Sequence, residues 1–199
     1  LRDLGVSSGD HVVAVMTNRY EMATLYWACQ RVAAIFTPFN WRATADDMAF
    51  VLSDAEARLV VFDSGAAEAA HAAAKAAAVP ARLLISLDGE TETSFANLLL
   101  SEPVLSPTGA ADDETCLMLY TSGTTGRSKG VPRSHRAERT AAASCIAHLR
   151  YRFGESQLGV MPLFHTMGIR ILLCSAMLNG AFINMRGFHA GGALDLIEA

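Results

Sequence analysis

Tyr120-Thr121-Ser122-Gly123-Thr124-Thr125-Gly126-Arg127-Ser128-Lys129-Gly130 follows a short apolar run, Thr115 to Tyr120, that reads as a buried strand. A strand that feeds three glycines and a cluster of hydroxyl residues has stopped being built for packing. Glycine lets the backbone turn its N–H groups toward a guest. Thr121, Ser122, Thr124 and Thr125 add hydroxyl donors, and Lys129 adds a mobile cation with three N–H bonds. Such a loop suits an anion that must be wrapped, and phosphate is the usual one.

Glycine- and serine-rich stretches also serve as plain linkers, but this one lies between ordered runs and ends in Lys129-Gly130. The spacing excludes two other sites. A Walker-type loop needs Gly, four residues, then Gly-Lys-Ser/Thr, whereas Arg127-Ser128 separates Gly126 from Lys129 and Gly130 stands in the hydroxyl's place. No Gly-x-Ser-x-Gly elbow surrounds Ser122, so a serine hydrolase is unsupported.

Working outward, the 199 residues suffice for one large or two small domains, and 51% hydrophobic against 18% charged residues is ample for a packed core. The net charge of −4 argues against a nucleic-acid binder. Between Tyr120 and Arg139 the balance reverses to +4, from Arg127, Lys129, Arg133, Arg136 and Arg139 against Glu138, which fits a small polyanion. Arg136 and Arg139 read better as a solvated helix face. Cys29, Cys116, Cys145 and Cys174 stand far apart in apolar contexts, and the histidines show no HExxH spacing, so neither zinc nor disulfides are indicated. No signal-peptide pattern opens the chain, and Ile171 to Met185 is too short and too polar to span a bilayer. The expectation is a soluble, cytoplasmic protein. Both ends have the character of an internal piece of something longer, with Gly5 closing one helical turn and Gly192 to Ala199 stopping inside an amphipathic helix.

The remaining pattern is α/β. His11 to Thr17 is continuously apolar, as in a sheet covered on both faces. Asn18 is placed to cap a helix from Tyr20 to about Ala34, and Ile35-Phe36-Thr37 is a strand ended by Pro38. Thr44 caps a helix from Ala45 to Ser53, and Arg58 to Asp63 is a strand. An alanine-rich helix follows from Gly65 to Val79, in which His71 reads as a solvated helix residue. Arg82 to Leu87 completes a first α/β lobe over residues 1–100. Residues 101–114, with two prolines and the acids Asp112, Asp113 and Glu114, read as a linker. The phosphate-loop lobe, 115–199, adds an extended Val131-Pro132-Arg133 and a helix from His135 to about Tyr151 capped by Ser134. A strand from Gln157 to Met161, an apolar helix from Ile169 to Leu178 and a strand from Ala181 to Asn184 follow, and His189 opens the last helix. His165 stands where a strand runs out into an aromatic turn, the place where α/β sheets bind ligands.

Three segments together resemble the adenylate-forming superfamily of acyl- and aryl-CoA ligases and peptide-synthetase adenylation domains. Tyr120 to His135, YTSGTTGRSKGVPRSH, is similar to its phosphate-loop signature. Met161 to Gly168, MPLFHTMG, is similar to its next motif, and Asn40-Trp41-Arg42 with Val51 to Asp63 to its N-terminal lobe. Ser128 stands where most relatives have proline, which loosens the turn and leaves Lys129 in place.

The resemblance implies mostly parallel sheets with flanking helices, the partial N-terminal domain of an adenylate-forming enzyme. It implies that ATP and a carboxylic acid give an acyl-adenylate and pyrophosphate, and that a thiol, CoA, then displaces AMP. By it, Thr121, Ser122, Gly123, Thr124, Thr125, Gly126 and Lys129 wrap the phosphates, Lys129 acts in catalysis, and His165 lines the passage between the ATP and acyl sites. The adenine site, the acid holding Mg2+, much of the acyl pocket and the domain carrying the adenylation lysine are expected further along than residue 199, so this piece alone is expected to lack ligase activity. A fatty or aromatic acid is the first reading of the apolar Met161 to Leu178 region. An amino-acid adenylation domain and a non-catalytic phosphate-binding module stay open.

Overall fold

The computed structural model describes residues 1–89, 91–102, 106–121 and 126–198. Its framework is a seven-stranded sheet in the order β5-β4-β3-β1-β2-β6-β7. The strands are β1 (His11–Val15), β2 (Ile35–Phe39), β3 (Leu59–Phe62), β4 (Leu84–Ser86), β5 (Thr93–Ser94), β6 (Thr115–Thr121) and β7 (Lys129–Ser134). All neighbours run parallel except β6 and β7, which form an antiparallel hairpin around the glycine-rich loop. A second sheet pairs β8 (Gln157–Gly159) with β9 (Phe182–Asn184) in parallel.

The helices are α1 (Tyr20–Val32), α2 (Ala45–Asp54), α3 (Ala67–Ala76), α4 (Phe95–Leu99), α5 (His135–Leu149), α6 (Thr166–Met177) and α7 (Ala190–Glu198). Side chains alternate across a strand, so one sheet supplies two cores. Val12, Ala14, Met16, Phe36 and Leu117 pack with α1, α5 and α6 on one face. Val13, Val15, Val60 and Phe62 pack with α2 and α3 on the other. The unbroken apolar runs of β1 and β3 follow from that double coverage. On α3, Ala70, Ala73 and Ala74 are buried, and the absence of bulk lets the helix lie close to the sheet. His71 is exposed as expected, with its ring edge-on to Phe62 at 5.1 Å.

The two hydroxyl caps form as read: the Thr44 hydroxyl accepts from Asp47 N and the Ser134 hydroxyl from Ala137 N. Two readings need correction. Asn18 does not cap α1, whose N-cap is Arg19; it is buried and bonds a distant turn instead. Pro38 does not end β2, which runs on to Phe39. Ile35 N donates to Asp10 O beside β1, so by alternation the missing Pro38 N–H faces β6, where pairing registers only at Phe36↔Leu117. Arg136 and Arg139 are exposed on α5, as read, and there they pair with Asp113 and Asp112 at 2.8 Å each. The acids before β6 thus neutralise part of the basic run, and segment 101–114 is also tied to α1 by Thr108 N donating to Arg31 O.

No helix among the described residues is long and apolar enough to cross a membrane.

Candidate functional site

The glycine-rich loop leaves the carboxyl end of β6 and returns into β7, with Thr121 paired to Lys129 and Tyr120 to Gly130 across the hairpin. Ser122, Gly123, Thr124 and Thr125 lie outside the described residues. Gly126 takes φ 132°, in the half of backbone space that favours glycine. Two hollows flank the loop's base.

One hollow, about 440 Å³, gathers four parts of the chain. Gly126 and Ser128 come from the loop, Phe164 and His165 from the turn before α6, Thr44 and Asp47 from the start of α2, and Phe39, Asn40 and Arg42 from the end of β2. Its floor is the carboxyl end of β2, the position where parallel sheets take ligands. His165 is the N-cap of α6 and makes no side-chain cap, so the positive end of a twelve-residue helix opens here without an internal anion. The His165 ring leans on Phe164, with centroids 4.6 Å apart. Arg42 stacks over Trp41 at 4.2 Å, which holds its guanidinium at the rim. An uncapped helix start, a fixed arginine and a glycine-rich turn together suit an anionic guest.

The other hollow, about 560 Å³, lies against α2 and is lined by His11, Phe50, Asp54, Tyr120, Arg127 and Lys129 among others. Lys129 is exposed and has no ion pair with a described residue. The Tyr120 hydroxyl donates to Asp54 Oδ2 at 2.7 Å. Burial, and then that carboxylate, holds the phenol well above its ordinary range, so it remains a donor.

Lys129 and His165 therefore line different hollows, and Tyr120 and Ser128 line both. Thr121 is exposed at the end of β6. Of the apolar Met161 to Leu178 stretch, Leu163, Ile169, Leu172, Leu173 and Cys174 belong to the core, while Met161 and Phe164 join Val160, Pro162 and Phe188 along a third, more apolar hollow of about 560 Å³.

Asn18 was read only as a cap, yet it holds the His165 turn: its Nδ2 donates to Met161 O at 3.0 Å and its Oδ1 accepts from Leu163 N at 2.8 Å. The helix read over Ala45 to Ser53 gave Asp47 no role at a site and left Asp54 just past its end. Asp47 bonds its near neighbour Thr44, whereas no local signal marks the partner of Asp54, Tyr120, 66 positions away.

A family model described as AMP-binding enzyme matches residues 1–199. The long-chain-fatty-acid–CoA ligase FadD13 of Mycobacterium tuberculosis is 30% identical, over 99% of this chain and 39% of that protein. A feruloyl-CoA synthase of an Amycolatopsis species is 29% identical, over 100% of this chain and 38% of its own length. Among solved structures, ATP-bound MatB from Rhodopseudomonas palustris superposes with a TM-score of 0.86 at 26% identity, covering 100% of this chain and 39% of that one. The chain thus spans about two fifths of the length of these curated relatives.

Proposed function

Because this chain belongs to the family of AMP-binding enzymes, we propose that the whole protein is an ATP-dependent acid–CoA ligase. It activates a fatty or aromatic carboxylic acid as acyl-AMP, releases pyrophosphate, and passes the acyl group to the thiol of CoA with loss of AMP. The observation that carries this reading is the 440 Å³ hollow where Gly126 and Ser128, the uncapped start of α6 at His165, and Arg42 converge.

In this reading the residues from Thr121 to Gly126 wrap the β- and γ-phosphates through backbone amides and hydroxyls, and Lys129 neutralises charge that builds on the departing diphosphate. Lys129 has no described partner to surrender before it does so. Lys129 shares with Tyr120 the hollow against α2. His165 lines the passage between the nucleotide and the acyl group, with Phe164 and Phe39 as its apolar walls. The apolar hollow at Met161, Phe164 and Phe188 supports a hydrophobic acid over a zwitterionic one.

Mg2+ would supply further charge neutralisation when bound to ATP. Among the described residues no group of three or more His, Cys, Asp or Glu side chains could hold a metal. Asp47 and Asp54 are already bonded to Thr44 and Tyr120. These residues do not compose a magnesium site.

The test is ATP–pyrophosphate exchange by the complete protein against a panel of aliphatic and aromatic acids. Acid-dependent exchange is expected for at least one class, followed by CoA-dependent thioester formation. No exchange with any acid would overturn the reading.

A further inference from the structure

Both stems of the glycine-rich loop rest on one stripe of α2. Asp47, Phe50 and Asp54 recur at spacings of three and four, so they share a face of the helix. On the strand entering the loop, the Tyr120 hydroxyl is held by Asp54 at 2.7 Å and its ring stands edge-on to Phe39, 6.1 Å between centroids. On the side leaving it, the Arg127 guanidinium lies over the Phe50 ring at 5.1 Å. Two turns nearer the start of the same helix, Asp47 accepts from the Thr44 hydroxyl at 2.7 Å, at the edge of the hollow that holds Gly126 and His165.

These contacts differ in kind and converge in effect. A charge-assisted hydrogen bond fixes one stem and a cation–π contact the other. Since α2 is also packed into the core through Met48, Val51 and Leu52, it is a rigid bar from the loop's base to the hollow's edge. A loop that presents amides to a polyphosphate works only if its stems do not splay, because displacements near 1 Å can cost about a hundredfold in rate. The grip on Arg127 also draws that cation against α2.

We propose that Phe50 and Asp54 are positioning residues that fix the two stems of the loop relative to the His165 hollow. Neither touches substrate; they act through Arg127 and Tyr120. This rests on the ligase reading above.

The test is ATP–pyrophosphate exchange by the complete protein with the best acid of the panel, alongside tryptic cleavage after Arg127. Asp54→Ala is expected to lower kcat about tenfold and leave KM for the acid unmoved. Tyr120→Phe should do the same, and the double variant should be no worse than either single one. Asp54→Asn keeps an acceptor for the hydroxyl and should stay within about threefold of the parent. Phe50→Leu keeps apolar bulk without the ring and should lose about threefold, the scale of an exposed cation–π contact. Cleavage after Arg127 should quicken about fivefold in Asp54→Ala as the stem opens locally. If the parent exchanges and Asp54→Ala keeps its kcat, the positioning role is overturned and the ligase reading stands. If the parent exchanges with no acid, the ligase reading falls and cleavage decides the clamp: an unchanged rate overturns it.

Discussion

Replacing Asn18 by alanine tests how the His165 turn is held. The residue sits just past β1, 7% exposed, and is 145 positions from one partner, Leu163, and 143 from the other, Met161. Alanine removes both bonds, but the two orphans are not equal. Leu163 is wholly buried, so its N–H loses its acceptor with no water to replace it, at a cost of about 1–3 kcal/mol. Met161 is 43% exposed, so its carbonyl can turn to solvent at roughly 0.5 kcal/mol. The sum is about 1.5–3.5 kcal/mol, or roughly 3–14 °C in the thermal midpoint for a fold of this size. Urea unfolding of the parent and of Asn18→Ala measures it directly. Asn18→Leu separates the hydrogen bonds from lost volume, since it fills the space without polar atoms and should be no more stable than the alanine variant. A loss under about 0.5 kcal/mol in Asn18→Ala, or recovery in Asn18→Leu, would refute the reasoning.

Other substitutions probe the loop, the turn and the acid end of the stability range. Lys129→Ala is expected to slow adenylation at least about tenfold, from the loss of a charged contact of ~1.5–3 kcal/mol, with unfolding unchanged because the side chain is exposed; exchange at the parental rate would contradict the role. At Gly168 an added Cβ would stand 2.2 Å from Pro162 O and 2.9 Å from Leu163 Cα, both backbone atoms. Gly168→Ala must therefore push the start of α6 off the turn, costing about 1–3 kcal/mol, and a thermal midpoint equal to the parent's would count against this. Arg19 bonds both oxygens of Asp88 at 2.7 Å and holds that carboxyl below its ordinary 3.8, with burial opposing. Its contribution is thus complete above 3.8 and is lost as pH falls through the lower folded value. The parent's urea midpoint should drop below that pH, and Asp88→Asn should start lower at neutrality and drop less; equal drops would contradict the assignment.

How far the fold could be read locally depends on the range of the contact concerned. Thr44 and Ser134 were legible as caps because the N–H each one serves is three residues away. The strands β1 and β3 were legible because burial on both faces leaves an uninterrupted apolar run. The place of the loop was legible because glycines after an apolar strand mark a chain reversal, and β6 and β7 pair antiparallel on either side of it. Asn18, by contrast, has the local signature of a cap and a different fate, since the carboxyl end of β1 meets the turn before α6 only after the sheet has formed. Pro38 looked like a terminator because strand identity alone does not say which neighbour a missing N–H will face.

Taken alone, the order of residues determined the alternating α/β plan, the buried strands, the hydroxyl caps and the place of the glycine-rich loop after β6, because these depend on propensity, periodicity and near neighbours. Tertiary structure alone decided that Lys129 and His165 line separate hollows, that Asp54 and Phe50 hold the loop's stems, and that Asp112 and Asp113 answer Arg139 and Arg136. The partners of Asp54, Phe50, Asp112 and Asp113 stand tens of positions away in the chain, and only the folded sheet brings them into contact.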